Sequence, residues 1–199
     1  MEFKSVNKLF EASFKENWER SALSNYHGTT LKYRELAERI EYLHIAFRLC
    51  GLKKGDKVAL CSRNQANWGV CFLAAMTYGA VPVPILHEFK AENIHHLVNH
   101  SEARAFFVGE EIWEGLSEVE MPGLEVIVQM NTLNPIYVKA SEDFDVKKRV
   151  FKEYEKPHPE GFKPEHISYH EDQEDELALI NYTSGTSGFS KGVMIPYRA

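Results

Sequence analysis

Cysteine is scarce in this chain, with three residues in 199, and Cys50, Cys61 and Cys71 each sit inside an apolar stretch with no C-x-x-C spacing. An odd number without paired spacing excludes a disulfide framework and a thiolate zinc site, so the three are expected to be buried free thiols in a reducing compartment. Clustered basic charge is missing as well: 23 Lys and Arg are scattered among 29 Asp and Glu, for a net charge of -6. Neutralising a nucleic-acid backbone takes a concentrated cationic face, so no nucleic-acid partner is expected and any anionic ligand has to be held locally. The opening residues lack the basic cluster and apolar core of a secretory signal, which together with the free thiols points to the cytoplasm.

An uninterrupted membrane-spanning helix is also lacking. The uncharged run Trp68 to Leu86 is long enough to meet the transmembrane length test of about 18 residues, but Gly79, Pro82 and Pro84 punctuate it. A helix ending near Gly79 followed by a short buried strand over 81–85 uses each of those residues naturally. No transmembrane span is expected, while peripheral contact with a membrane surface and the oligomeric state stay open.

What is present is an alternation of two periods. From Leu36 to Gly51 the apolar residues Leu36, Ile40, Leu43 and Phe47 recur at helical spacing, with Glu35, Glu38, Arg39 and Glu41 off that face and Gly51 as a stop. Lys54-Gly55-Asp56 makes a turn, and 57–61 reads as a continuous apolar strand buried on both faces. The rhythm continues with a helix over 66–78, a strand over 81–85, a helix over 91–99 and strands over 105–108 and 124–130. Such alternation predicts an α/β fold, a mostly parallel sheet flanked by helices.

Between 139 and 176 the composition turns charged and polar, with Pro157, Pro159 and Pro164 and the acidic run Glu171 to Glu176. This stretch reads as a solvated connector with a short helix around 143–154, and the acidic run as a soluble face rather than a metal site. The expected organisation is an α/β unit over 1–176, the connector included, and a hairpin over 177–199. His96 and His100, four apart on one helix, find no third ligand and are expected to face solvent. Trp18, Trp68 and Trp113 are too dispersed for a binding cage.

The chemistry-bearing segment is the hairpin. Apolar Leu177-Ala178-Leu179-Ile180 leads into Tyr182-Thr183-Ser184-Gly185-Thr186-Ser187-Gly188-Phe189-Ser190-Lys191-Gly192, and a second apolar run, Val193-Met194-Ile195, follows. Glycines let backbone amides approach a polyphosphate, hydroxyls donate further hydrogen bonds and a lysine adds positive charge. Gly185, Gly188 and Gly192 answer the first need, Thr183, Ser184, Thr186, Ser187 and Ser190 the second, and Lys191 the third. A plain Gly/Ser/Thr turn with an incidental lysine is the competing reading on composition. The nucleoside-triphosphatase loop G-x-x-x-x-G-K-[ST] does not match, because Gly192 follows the lysine and Val193-Met194-Ile195-Pro196 is a poor helix opening. A strand-loop-strand geometry is expected instead.

YTSGTSGFSKGV resembles the phosphate-loop signature of the acyl- and aryl-adenylate-forming (AMP-binding) superfamily, T-S-G-[ST]-T-G-x-P-K-G-[VI], matching at Thr183, Ser184, Gly185, Thr186, Gly188, Lys191, Gly192 and Val193. Ser187 stands where threonine is usual and Ser190 where proline is; downstream, Pro196, Tyr197 and Ala199 replace the threonine, histidine and asparagine of M-L-T-H-R-N. Upstream, Leu31-Lys32-Tyr33-Arg34-Glu35-Leu36 is similar to L-T-Y-x-E-L, and Gly51 to Ala59 to G-V-x-x-G-D-x-V-A. Asn64 to Trp68 is similar to N-x-x-E-W and Gly79 to Pro84 to the start of G-A-x-x-V-P-L, in the same order and spacing.

That resemblance implies the amino-terminal part of an ATP-dependent acid–CoA ligase. The enzyme would join a carboxylate to ATP, giving acyl-AMP and pyrophosphate, and pass the acyl group to coenzyme A, with long-chain fatty acids as the expected substrates. It implies phosphate contacts from Thr183, Ser184, Gly185, Thr186, Ser187, Gly188 and Lys191 beside Mg2+. The superfamily's acyl pocket, magnesium-binding glutamate and catalytic lysine lie beyond residue 199, so no catalytic or metal-binding residue is named here and the 199 residues alone are expected to be inactive. Two alternatives accompany this reading: an adenylation domain loading amino or aryl acids onto a carrier protein, and a non-catalytic nucleotide-binding module.

Overall fold

The computed structural model describes residues 4–139, 145–183 and 191–199. The chain opens with helix α1 (Val6–Glu16), then an antiparallel pair, β1 (Ser21–Ser24) and β2 (Thr30–Lys32), which runs directly into the long helix α2 (Tyr33–Leu49). There follow β3 (Lys57–Cys61), α3 (Ala66–Tyr78), β4 (Val81–Pro84), α4 (Ala91–His100), β5 (Ala103–Val108), a single turn α5 (Glu110–Trp113), β6 (Val126–Gln129), β7 (Asn134–Val138) and α6 (Val146–Glu155). The hairpin β8 (Leu177–Thr183) and β9 (Lys191–Pro196) closes the described chain.

The central sheet has the order β4-β3-β5-β6-β7, parallel throughout except for β7, which pairs antiparallel with β6. The α/β expectation is therefore met, and β7 is an added edge strand that carried no clear alternation. Consecutive phenylalanines in β5 show why the sheet reads as continuous apolar runs. Phe107 packs in the cluster with Leu36, Ile40, Phe47, Val70 and Ala74 on one face, and Phe106 packs with Val83, Ile94, Leu97 and Ile127 on the other. Helices α2 and α3 cover the first face and α4 the second, so both sides of the inner strands β3 and β5 are dry, whereas the edge strand β7 is only partly covered.

The motif residues of the resemblance have local structural reasons. Gly55 adopts φ +80° in the turn before β3, and the Val81 amide donates to the Asp56 carbonyl at 2.9 Å, so this turn also sets where β4 begins. Gly79 caps α3 at φ +85°, a left-handed conformation that glycine adopts without strain. At the start of α2, the Lys32 amide donates to the Glu35 carboxylate at 2.8 Å, the half of a capping box that survives when lysine stands at the cap.

The segment 139–176 departs from the solvated connector expected of it. Val146, Val150 and Tyr154 are buried against Ile45 of α2, and Ile167 and Tyr169 join the main core. Asp172, inside the acidic run, is 1% exposed and accepts from Ser5 Oγ (2.6 Å), the Val6 amide (3.0 Å) and the Asn7 amide (2.8 Å). It thereby serves the free amides at the start of α1 from a distant part of the chain, where a carboxylate is favoured by the helix dipole. The four-residue spacing of Val146, Val150 and Tyr154 marked the buried face of α6, but the surrounding lysines and glutamates obscured it.

The run Trp68 to Leu86 divides into α3, Gly79 and β4, and among the described residues no helix is long and apolar enough to cross a membrane. Cys61 and Cys71 are buried and Cys50 partly so, all free. Burial pushes the Cys61 thiol up to about 12 and that of Cys71 well above its usual value, which leaves both unreactive.

Candidate functional site

Strand β8 alternates: Ala178, Ile180 and Tyr182 point inward and are buried, whereas Asn181 and Thr183 are exposed. The inward face lies alongside β4 and joins the second-face core through Ile180 and Tyr182. At the far end of the hairpin, Tyr197 and Ala178 pack on Met76 of α3; the Asn7 side-chain amide donates to the Met76 carbonyl at 3.0 Å and to the Tyr197 hydroxyl at 3.2 Å. Tyr197 stands where the superfamily pattern has histidine, and here it is the hairpin's buried anchor.

Strand β9 behaves differently from the apolar buried strand its composition suggests. Val193 and Met194 are exposed, Met194 at 70%. Its register with β8 is nevertheless regular near the loop, with Asn181 opposite Val193, Tyr182 opposite Gly192 and Thr183 opposite Lys191. The two ends of the phosphate-loop sequence are thus brought face to face, a hydroxyl on one strand across from an ammonium on the other. Lys191 is exposed, and among the described residues no carboxylate forms an ion pair with it, so its charge is available to an anion. The proposed phosphate contacts Ser184, Gly185, Thr186, Ser187 and Gly188 lie outside the described residues.

Gly192 permits the close approach of the two strands. A Cβ placed there would meet Ile180 Cγ2 and Tyr182 Cε1 at 3.2 Å, so the tyrosine ring lies against the backbone of the opposite strand. Its hydroxyl reaches His100 Nδ1, at the end of α4, at 2.7 Å. Burial raises the tyrosine's pKa, which keeps the phenol protonated where it meets the His100 ring. His100 is exposed, as expected, but it has a partner that its spacing from His96 did not reveal.

A second concavity opens where α/β sheets commonly bind ligands, outside the carboxyl ends of the strands. The cavity of about 290 Å³ follows β3, β4 and β5 and is lined by Arg63, His87, Phe89, Ile94, Glu111 and Ile112. Arg63 and Glu111 face each other there at 3.9 Å. A larger apolar cavity of about 680 Å³ lies between α2, α6 and the β6–β7 end of the sheet, remote from the hairpin. Among the described residues no group of three or more His, Cys, Asp or Glu side chains is placed to hold a metal. The tryptophans are dispersed, with Trp68 stacked on Phe72 and Trp18 tilted against Phe162.

Comparison with known proteins agrees with this architecture. The fatty acyl-CoA synthetase A of Dictyostelium discoideum is 29% identical over 171 residues, covering 84% of this chain and 25% of that protein. The anthranilate CoA ligase AuaEII, solved with anthranoyl-AMP, superposes over 100% of this chain and 35% of its own with a TM-score of 0.76 at 17% identity. The N-terminal subdomain of Klebsiella oxytoca NpsA, solved with 3-hydroxyanthranilyl-AMSN, covers 98% of this chain and 41% of its own with a TM-score of 0.67 at 23% identity. At these identities the two structures establish likeness of fold. The chain spans a quarter of the length of the Dictyostelium relative, and 35% and 41% of the two solved chains. The family of AMP-binding enzymes matches over residues 10–199, nearly the whole sequence including the loop and its two strands, and this chain belongs to that family.

Proposed function

We propose that the chain supplies the first subdomain and the phosphate loop of an ATP-dependent enzyme that activates a carboxylic acid as its adenylate. The observation that carries this is the hairpin register: Thr183 and Lys191 face each other at the base of a loop sequence rich in glycine and hydroxyls. In adenylation a carboxylate oxygen attacks the α-phosphorus of ATP, the bond to the bridging oxygen breaks, and pyrophosphate leaves with the charge that develops. Donors fixed in advance around that charge lower the barrier more than they stabilise bound ATP. Thr183 and Lys191, with Ser184, Gly185, Thr186, Ser187 and Gly188, are the residues proposed to hold the β- and γ-phosphates. The hydroxyls, amides and ammonium fit that anion; Mg2+ would add charge neutralisation, but the described residues offer it no acidic cluster, and no ligand for it is assigned.

The identity of the acid is the finer question. The curated relative is a fatty acyl-CoA synthetase, whereas the solved neighbours hold aryl adenylates or their analogues. Together they support acid activation with fatty, aryl and amino acids all eligible, a broader reading than a long-chain fatty acid–CoA ligase. Transfer to coenzyme A or to a carrier protein is the corresponding second step.

Acid-dependent exchange of pyrophosphate into ATP by the complete protein tests the first step, and Lys191→Ala should slow it by about 100-fold or more, the scale for removing a preorganised electrostatic contact. Unchanged exchange would reject Lys191 as a phosphate contact. Trapping activated acyl groups with hydroxylamine across a panel of fatty, aryl and amino acids identifies the substrate class.

A further inference from the structure

We propose that His100 is a positioning residue for the phosphate loop, acting through Tyr182 to hold Thr183 and Lys191 at their facing positions. The inference rests on the adenylate-forming reading above and adds a residue outside the loop signature.

Three contacts converge on one ring. The Tyr182 hydroxyl meets His100 Nδ1 at 2.7 Å, and the two rings stand edge to face at 5.8 Å between centroids. The tyrosine ring also lies against Gly192, where a Cβ would come within 3.2 Å of it. The ring is 7% exposed and sits in the core cluster with Ile94 and Leu97 of α4. Tyr182 directly precedes Thr183, and Gly192 directly follows Lys191. One side chain therefore touches both stems of the loop at adjoining residues, and its polar end is tied to the last residue of α4.

That tie matters because β8 and β9 form their own two-stranded sheet, outside the ladder of the central five strands. An isolated two-stranded ribbon is marginal and free to twist. Apolar packing of Ile180 and Tyr182 fixes its distance from β4 and α4 but is tolerant of sliding. A directional hydrogen bond is not, and it selects one position of the ribbon along the helix end. His100 makes its contact through the imidazole atom that is three bonds from Cα, a position that the side-chain oxygen of asparagine also reaches.

The test uses the complete protein with three single variants, Tyr182→Phe, His100→Leu and His100→Asn, and the double variant Tyr182→Phe with His100→Leu. Tyr182→Phe keeps the ring over Gly192 and removes only the hydroxyl. In acid-dependent ATP–pyrophosphate exchange, Tyr182→Phe and His100→Leu should each raise KM for ATP by about tenfold, the upper scale of one net hydrogen bond, with KM for the acid unchanged. The double variant should be no worse than either single, since both remove the same contact. His100→Asn should return KM for ATP to within about twofold of the unsubstituted protein. Hydrogen exchange at the amides of 191–194 should quicken in Tyr182→Phe and His100→Leu alike, a readout independent of turnover.

Equal rises in both KM values with a lowered thermal midpoint would make the contact merely structural and overturn the proposal, as would multiplicative effects in the double variant. So would unchanged KM for ATP and unchanged exchange at 191–194. If the unsubstituted protein shows no acid-dependent exchange, the functional reading fails by itself and the hydrogen-exchange comparison alone decides whether His100 holds the hairpin.

Discussion

Strands β5 and β9 are both apolar, yet the protein treats them oppositely. β5 lies in the middle of the sheet with Phe106 and Phe107 on opposite faces, each fully buried. Among the described residues β9 has a single partner strand, and its Val193 and Met194 are exposed. Apolarity thus signals burial only where the surrounding chain supplies cover on both sides, as α2, α3 and α4 do for β5. The hairpin depends on something else: the inward half of β8, the Tyr197 anchor and the Tyr182 clamp hold it.

The contrast predicts its largest effect in the sheet. Phe106→Ala should destabilise the chain by about 3–5 kcal/mol in urea unfolding, because the site is enclosed by Val83, Ile94, Leu97 and Ile127 and cannot collapse around the deletion. A cost below about 1 kcal/mol would mean that the two faces are not equally dry and would remove the basis for separating the sheet from the hairpin.

How much of this was legible follows the same division. The parallel strands and their helices could be read because Leu36, Ile40, Leu43 and Phe47 keep helical spacing and 57–61 is continuously apolar; the register itself carries no local signal. Asp172 could not be read. Its three donors belong to residues 5–7, about as far away in sequence as the chain allows, and an acid among acids looks solvated until those amides arrive. Likewise Asn25 Oδ1 accepts from the Ala66 amide at 2.7 Å, capping α3 from the β1–β2 turn. At the candidate site, residue types suggested a phosphate loop whose contacts at 184–188 lie outside the described residues, whereas the His100–Tyr182 contact needed the fold, since 82 residues separate the partners. His44 was also missed, although it lies on the same face as Leu36, Ile40 and Phe47, because a polar residue on an apolar stripe is invisible to a count of hydrophobic spacing.

His44 sharpens the contrast through pH. Its Nε2 lies 3.0 Å from the Ala74 carbonyl and 3.1 Å from Thr77 Oγ1, beneath α3, and burial lowers its pKa from 6.5 to about 3. Below pH 6.5 the unfolded chain takes up a proton on this ring and the folded chain does not, so stability falls on acidification until about pH 3 and is insensitive to this group above neutrality. Between pH 6.5 and 5 the loss should be about 2 kcal/mol. His44→Gln should flatten that slope in urea unfolding measured across the range. An unchanged slope would assign acid sensitivity to other groups and detach it from the sheet's first face.

The smallest effect is expected at the other pole of the comparison. Met194→Ser should change stability by less than about 0.5 kcal/mol, because a side chain exposed at 70% already spends its time in water. The measurement is informative because the residue is apolar and sits on a strand whose outer edge has no partner among the described residues, the kind of surface that invites pairing with another chain. Were Met194→Ser to cost several times that amount, the side chain would have to be covered in solution. Repeating the unfolding at several protein concentrations would then separate the sources: a concentration-dependent midpoint means that a second copy lies on β9, and a constant one means that the cover comes from the same chain.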